Sequence, residues 1–185
     1  MDFEEIENKH KILIEKALEK MKEVDDPKHS FSHILQVVEY TKEILENVEA
    51  NSEVCIIAAY WHDVGRAKID KGHALLSAEL LKEEMQNLNY NKDFIEQCYK
   101  AVYKHSCNEE PETLEGIIIR DADKIDFVGI NRWEECIKKE CKFNKIKKLL
   151  PIEREELLKL EISRKIFDRE IGNLVMFLHD KIFNN

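Results

Sequence analysis

The sequence predicts an all-α fold, a single compact helical bundle whose polar side chains converge from helix ends. Three observations predict it. The 185 residues contain only five glycines and three prolines, too few for the frequent turns of a β-rich domain. Apolar residues recur at three- and four-residue spacing along most of the chain. The length suits one domain with a sizeable core and would cramp two.

Each element follows from local pattern. Residues 2–24 place Phe3, Ile6, Ile12, Leu13, Ala17, Leu18 and Met21 near helical spacing, predicting one amphipathic helix that Val24-Asp25-Asp26-Pro27 ends. Residues 28–32 form a polar connector in which Ser30 or Ser32 serves as N-cap. A second helix is predicted from His33 to Val48, with Ile34, Val37, Val38, Ile44 and Leu45 inward. Asn51-Ser52 caps a third, which runs through the apolar stretch Val54–Trp61 to His62-Asp63 and is stopped by Gly65. Arg66 to Gly72 reads as a basic loop.

Further helices are predicted over His73–Leu88 and over 91–105, the latter burying Phe94, Ile95, Cys98, Ala101 and Val102. Pro111 is expected in the first turn of a sixth. Ile117-Ile118-Ile119 would suit a strand, but Leu114, Ile118, Ala122 and Ile125 share a helical face, which favours helix. Residues 128–150 read as a helix followed by a basic, less regular stretch, Lys138 to Lys148. Pro151 breaks the chain, and 152–183 form a last helical region carrying Leu157, Leu160, Ile166, Ile171, Leu174, Phe177 and Leu178. The whole of 1–185 is expected to be one domain.

Composition excludes several function classes. The net charge of −9 argues against general binding of nucleic acid or anionic membrane, though a bound metal would let a phosphorylated small molecule approach. No run of about 18 apolar residues could cross a membrane. The acidic N-terminus lacks the basic and apolar regions of a signal peptide, so the chain is expected to be intracellular, in the cytoplasm. The five cysteines (55, 98, 107, 136, 141) are odd in number and lack CxxC spacing, which points to reduced thiols. There is no GxSxG elbow, P-loop or GxGxxG run to supply another chemistry.

The chemistry centres on His62-Asp63. This pair follows two helical turns that are almost wholly apolar. Two buried ionisable groups cost several kcal/mol per unpaired charge, and a divalent metal is a partner that accepts both imidazole and carboxylate. His33, His73, His105 and Asp123 also fall at predicted helix ends or in adjacent short loops, where a bundle can gather ligands. Any one of them alone is more often a cap or a boundary residue.

The ordered set of His33, His62-Asp63 and Asp123 resembles the HD-domain superfamily of metal-dependent phosphohydrolases. So do its contexts: His33-Ile34-Leu35-Gln36-Val37, Ala58-Ala59-Tyr60-Trp61-His62-Asp63-Val64-Gly65, and His105-Ser106 ahead of Pro111. The run Asp121-Ala122-Asp123-Lys124-Ile125-Asp126, followed by Gly129-Ile130-Asn131-Arg132, is similar to the short branch that includes bacterial nucleotide pyrophosphohydrolases. The family-like core spans about 28–135, with a C-terminal helical extension at about 152–183. The resemblance implies that His33, His62, Asp63 and Asp123 bind a first metal and that His73 and His105 match the extra histidines of members holding two, with Asp63 bridging. It implies a capping or supporting role for Asp121. Gly65-Arg66-Ala67-Lys68 and Gln36 depart from the branch, where acidic residues and a basic residue are usual, and this weakens transfer of a substrate.

The implied cofactor is a divalent transition metal (Mn, Fe, Co, Ni or Zn), one ion expected and a second allowed. Metal-activated water would attack a phosphoryl group of a nucleotide or related ester, with Asp63, His62 and Arg66 as the catalytic set and no covalent intermediate. Arg66, Lys124, Arg132 and His29 are expected to bind the substrate phosphate, while Lys68 reads as solvated surface. Two alternatives remain open: a di-iron oxygenase built on the same six ligands, and a non-catalytic nucleotide-binding scaffold. The charged last helix and the 138–148 stretch leave room for self-association.

Overall fold

A computed structural model describes residues 2–24, 26, 28–106, 109–139 and 157–183. Among them the chain is helical, with no strand. The helices are α1 (Phe3–Lys9), α2 (Lys11–Met21), α3 (Phe31–Leu45), α4 (Ser52–Trp61), α5 (His73–Asn87), α6 (Lys92–Tyr103), α7 (Leu114–Ile125), α8 (Ile130–Lys138) and α9 (Glu161–Phe183). Short 3-10 turns follow α4 (Val64–Ala67) and α7 (Asp126–Val128).

The most apolar helix is the centre of the bundle. Every residue of α4 from Val54 to Trp61 is buried. It packs against α2, α3, α6 and α7. Such all-round burial leaves α4 no solvent face, so only its two ends can present polar groups. Asn51 caps its start by accepting from the Val54 N–H, as expected. His62 and Asp63 stand at its other end. Around it, α3 packs on α7, α5 on α6, and α9 on α7 and α8. No helix of the described residues is long and apolar enough to cross a membrane.

Several predicted boundaries are corrected. The expected helix over 2–24 is two helices that break at His10 (φ −105°, ψ 18°). The His10 ring is 3% exposed, bonds to the Tyr90 hydroxyl (2.9 Å) and the Glu53 carboxylate (3.2 Å), and stacks on Tyr90 and Phe94. These partners, from distant parts of the sequence, override a continuous helical pattern. Helix α3 begins at Phe31, not His33; Ser30 is at its N-cap without a capping bond and instead contacts Ser32.

Gly65 does not act as a left-handed stop. It lies inside a 3-10 turn, where a Cβ would meet the His73 carbonyl oxygen at 2.5 Å. Pro111 lies ahead of α7, which Thr113 caps by accepting from the Gly116 N–H. Phe94 is only half-buried, and Ile171 and Leu114 are exposed. Cys55, Cys98 and Cys136 are buried thiols, while Cys107 and Cys141 lie outside the described residues. Most of the 138–148 stretch, Pro151 and residues 152–156 lie outside them too.

Candidate metal centre

Six side chains reach one buried point from five helices. His33 comes from the first turn of α3, His62 and Asp63 from the end of α4, His73 from the start of α5, His105 from just past α6 and Asp123 from the last turn of α7. Each is less than a tenth exposed.

Local chain physics aims the imidazoles. The last carbonyls of a helix lack intrahelical donors. His62 donates its Nδ1–H to the Ala59 carbonyl (2.8 Å), and His105 does the same to Val102 (2.9 Å). Each ring thereby caps its own helix and turns Nε2 inward. Gly72, in the left-handed region (φ 85°), leads into α5, where His73 Nδ1 donates to the Asp70 carbonyl at 2.8 Å. His33 Nδ1 donates to the Asp126 carboxylate at 2.7 Å. All four acceptors are oxygens without a proton to give, so Nδ1 carries the hydrogen in every ring. In the neutral state each Nε2 is then a bare lone pair.

Those lone pairs face one another. His33 Nε2 and His62 Nε2 are 3.3 Å apart, as are His73 Nε2 and His105 Nε2. Asp63 stands between the two pairs. Its Oδ2 is 3.6 Å from His33 Nε2 and 3.8 Å from His62 Nε2, and Asp123 Oδ1 is 3.5 Å from His33 Nε2. Asp63 Oδ1 is 3.1 Å from His73 Nε2 and 3.4 Å from His105 Nε2. Two donor groups therefore share one carboxylate.

The electrostatics favour cations here. Burial opposes ionisation of Asp63 and Asp123, yet the surrounding histidines, with Lys124 beside Asp123, hold both carboxyls well below the usual carboxylate range. Burial pushes His62 down to about 3, so it stays neutral. For His33, burial and the Arg132 guanidinium oppose protonation, but the Asp126 and Asp63 carboxylates outweigh them and raise it. A positive charge at His33 Nε2, whether proton or metal, is stabilised.

The donor set fits a borderline divalent metal: imidazole nitrogens fixed in the right tautomer, plus carboxylates. His33, His62 and Asp123 offer atoms within 4.8 Å of one another, as do His62, Asp63 and His105. The buried Asp63 Oδ2 has no hydrogen-bond donor of acceptable geometry.

The expected phosphate binders are placed differently. Arg66 Nε is 2.8 Å from Asp63 Oδ2, angled as an ion pair, and its Nη1 bonds to exposed Asp70 at 2.7 Å. Lys124 contacts the Asp123 carboxylate and lies over the Phe127 ring. Arg132 is 2% exposed; its Nε donates to the Lys28 carbonyl at 2.7 Å and stands 3.4 Å from Asp126. Its head is buried against these partners. His29 bonds to Asp26 at 2.8 Å and meets His33 edge-on. Arg66, Asp26, Asp70, Glu23 and Val24 line a cleft of about 170 Å³, and of these Arg66 is the residue paired with Asp63. Two larger hollows, about 420 and 390 Å³, are lined by none of the six ligand candidates.

Asp126 is the residue that sequence reasoning missed. Its signal was its place three residues after Asp123 at a helix end, which puts both carboxylates on one side. Asp121 accepts from the backbone N–H groups of Lys159 (3.0 Å) and Leu160 (2.9 Å), tying the C-terminal segment to α7.

The family model for the HD domain matches residues 30–127. Two solved structures share the fold. One is a predicted HD superfamily hydrolase from an uncultured Thermotogales bacterium, 24% identical over 98% of both chains, with a TM-score of 0.71. The other is Bacillus subtilis YpgQ in complex with ADP, 16% identical over 92% of this chain and 95% of that one, with a TM-score of 0.64. No curated protein matches the sequence.

Proposed function

The chain belongs to the HD-domain family, and on that premise we propose that it is a metal-dependent phosphohydrolase acting on a nucleotide or related phosphate ester. The carrying observation is the pair of facing Nε2 couples, each 3.3 Å apart, on either side of the Asp63 carboxylate. Opposed lone pairs at that distance repel unless a cation lies between them. His33, His62, Asp63 and Asp123 would hold one ion, and His73 and His105 with the other oxygen of Asp63 a second. When bound, such an ion lowers the pKa of a coordinated water from about 15.7 to about 7 and polarises a phosphoryl oxygen.

The chain's own residues do the rest. Asp63 joins the two halves and fixes their spacing. Arg66, at the cleft wall and 15% exposed, would take a phosphoryl oxygen. Lys124 supplies a second cation beside Asp123. The buried wall around His62 and His105 excludes bulk water, which strengthens each of these interactions. Among the described lining residues of the cleft, Arg66 is the one cation that could meet a phosphate, and it stands with the carboxylates of Glu23, Asp26 and Asp70. The ADP complex of the Bacillus subtilis neighbour supports a nucleotide-like ligand.

The test is phosphate release from a panel of nucleoside mono-, di- and triphosphates by protein freed of metal and reloaded with Mn, Co, Ni or Zn. Turnover is expected with at least one ion, and Asp63→Ala should lose both metal and turnover. No phosphate release from fully loaded protein would overturn the reading. The same six donors suit a di-iron oxygenase. Dioxygen consumption by iron-loaded protein, without phosphate release, would favour that second reading.

A further inference from the structure

His33 is held unlike the other three histidines. His62, His73 and His105 each donate Nδ1–H to a neutral backbone carbonyl. His33 donates to a carboxylate, Asp126, which is 0% exposed. A carboxylate behind an imidazole makes its far nitrogen a stronger donor, and a neutral carbonyl does so much less. The two halves of the centre are therefore unequal by construction.

The carboxylate is costly to keep. Asp126 Oδ1 is buried without a hydrogen-bond partner, and a buried charge needs compensation. Arg132 supplies part of it from 3.4 Å. Residue 129 must also be small, since a Cβ there would meet Asp126 Oδ1 at 2.4 Å. Arg132 is held in turn by the Lys28 carbonyl and the Phe127 ring. A charge maintained against these costs, bonded to a candidate ligand, points to a role at that ligand.

We propose that Asp126, held by Arg132, is a positioning residue that makes the His33 half of the centre the tighter of two cation sites, so that the halves fill in order. It rests on the reading of the six side chains as a metal centre. Asp126 and Arg132 act on that order while touching neither substrate nor metal.

The test titrates metal-depleted protein with Co²⁺, following heat and the visible d–d absorption. Wild type should bind in two steps. Asp126→Asn keeps the shape and an acceptor oxygen toward His33 but removes the charge. It should weaken the tighter step by about 10–100-fold, shift that step's visible bands, and leave the other step unchanged. A second measurement uses wild type alone, so it does not depend on the variant folding. In histidine-labelled protein given less than one equivalent of Zn²⁺, the Nε2 signals of His33 and His62 should move before those of His73 and His105. Equal steps in wild type, an unaffected tighter step in Asp126→Asn, or His73 and His105 moving first would each overturn the proposal alone. Failure of wild type to bind any metal would overturn it together with the metal-centre reading.

Discussion

Gly65→Ala probes the joint between the doublet and α5. Gly65 has an ordinary negative φ, since Gly72 is the only glycine with positive φ among the described residues, so alanine meets no backbone strain there. Its effect is steric alone. The added Cβ would sit 2.5 Å from the His73 carbonyl oxygen and 2.9 Å from the Ser77 nitrogen, where ordinary contact begins at 3.4 Å. Both are backbone atoms of the first turns of α5, so a helix end must move by about 0.9 Å, the gap between 2.5 and 3.4 Å. The 2.8 Å bond from the Gly65 N–H to Ser77 Oγ stretches with it.

Overpacking of this kind costs about 1–3 kcal/mol. At about 2–4 °C per kcal/mol for a chain of this length, Tm should fall by about 2–12 °C. The displaced helix carries His73, now 3.1 Å from Asp63 Oδ1, so the second metal should be lost while the first is kept. Gly172→Ala is the control: nothing lies within 4 Å of its Cβ position in α9, and alanine there should raise stability by up to about 1 kcal/mol. The assay is thermal unfolding with elemental analysis of reloaded protein. A Gly65→Ala protein with the wild-type Tm and both metals would refute the close packing of the turn against α5.

Three further outcomes are expected. Burial lowers the pKa of His10 from 6.5 despite the Glu53 carboxylate, so the unfolded chain binds the extra proton; stability is full above about pH 6.5 and falls as pH drops below it, by at most about 1.4 kcal/mol per pH unit. His10→Gln should flatten that part of a denaturation-versus-pH curve, and an unchanged slope would contradict the assignment. Asp121→Ala leaves the Lys159 and Leu160 amides without their acceptor and should cost about 1–3 kcal/mol, read as a lower Tm and faster hydrogen exchange at those two amides. Arg66→Met removes a cation 2.8 Å from Asp63 Oδ2, so metal should bind as tightly as in wild type or more tightly while phosphate release is lost; weakened metal binding would show that Arg66 supports the centre instead of serving the substrate.

The elements legible in sequence were those whose pattern and packing agree. Val54–Trp61 is apolar on every face and is buried on every face. The break at His10 was illegible because the apolar spacing runs on through it, and what decides it is Tyr90 and Glu53, contacts visible only after folding. The doublet stood out because charge follows an apolar run. His73 and His105 carried no such mark, since a histidine at a helix end caps carbonyls whether or not its other nitrogen meets a ligand; here both nitrogens are used. Sequence likewise gives no sign of whether a cation near a carboxylate faces solvent or the carboxylate. Arg132 read as a phosphate contact, yet its neighbours are the Lys28 carbonyl and Asp126.

That inward pairing bears on how so acidic a chain would receive an anion. Three carboxylates stand at or behind the centre, and each has a cation: Asp63 with Arg66, Asp123 with Lys124, Asp126 with Arg132. Their formal charges cancel, so the folded chain holds these groups without a net buried charge. Two divalent ions would then add four positive charges that no further carboxylate among the six donors offsets. The pocket of a protein with net charge −9 becomes locally cationic, and its natural complement is a polyanion. On the proposed reading, Asp63 and Asp123 would be shared with the ions, which would loosen Arg66 and Lys124 from their partners and free them to meet a phosphate. Asp126 is not a ligand candidate, so Arg132 stays where it is. On that reading the three pairs divide by position into two whose cations would serve a substrate and one that would keep the centre in register.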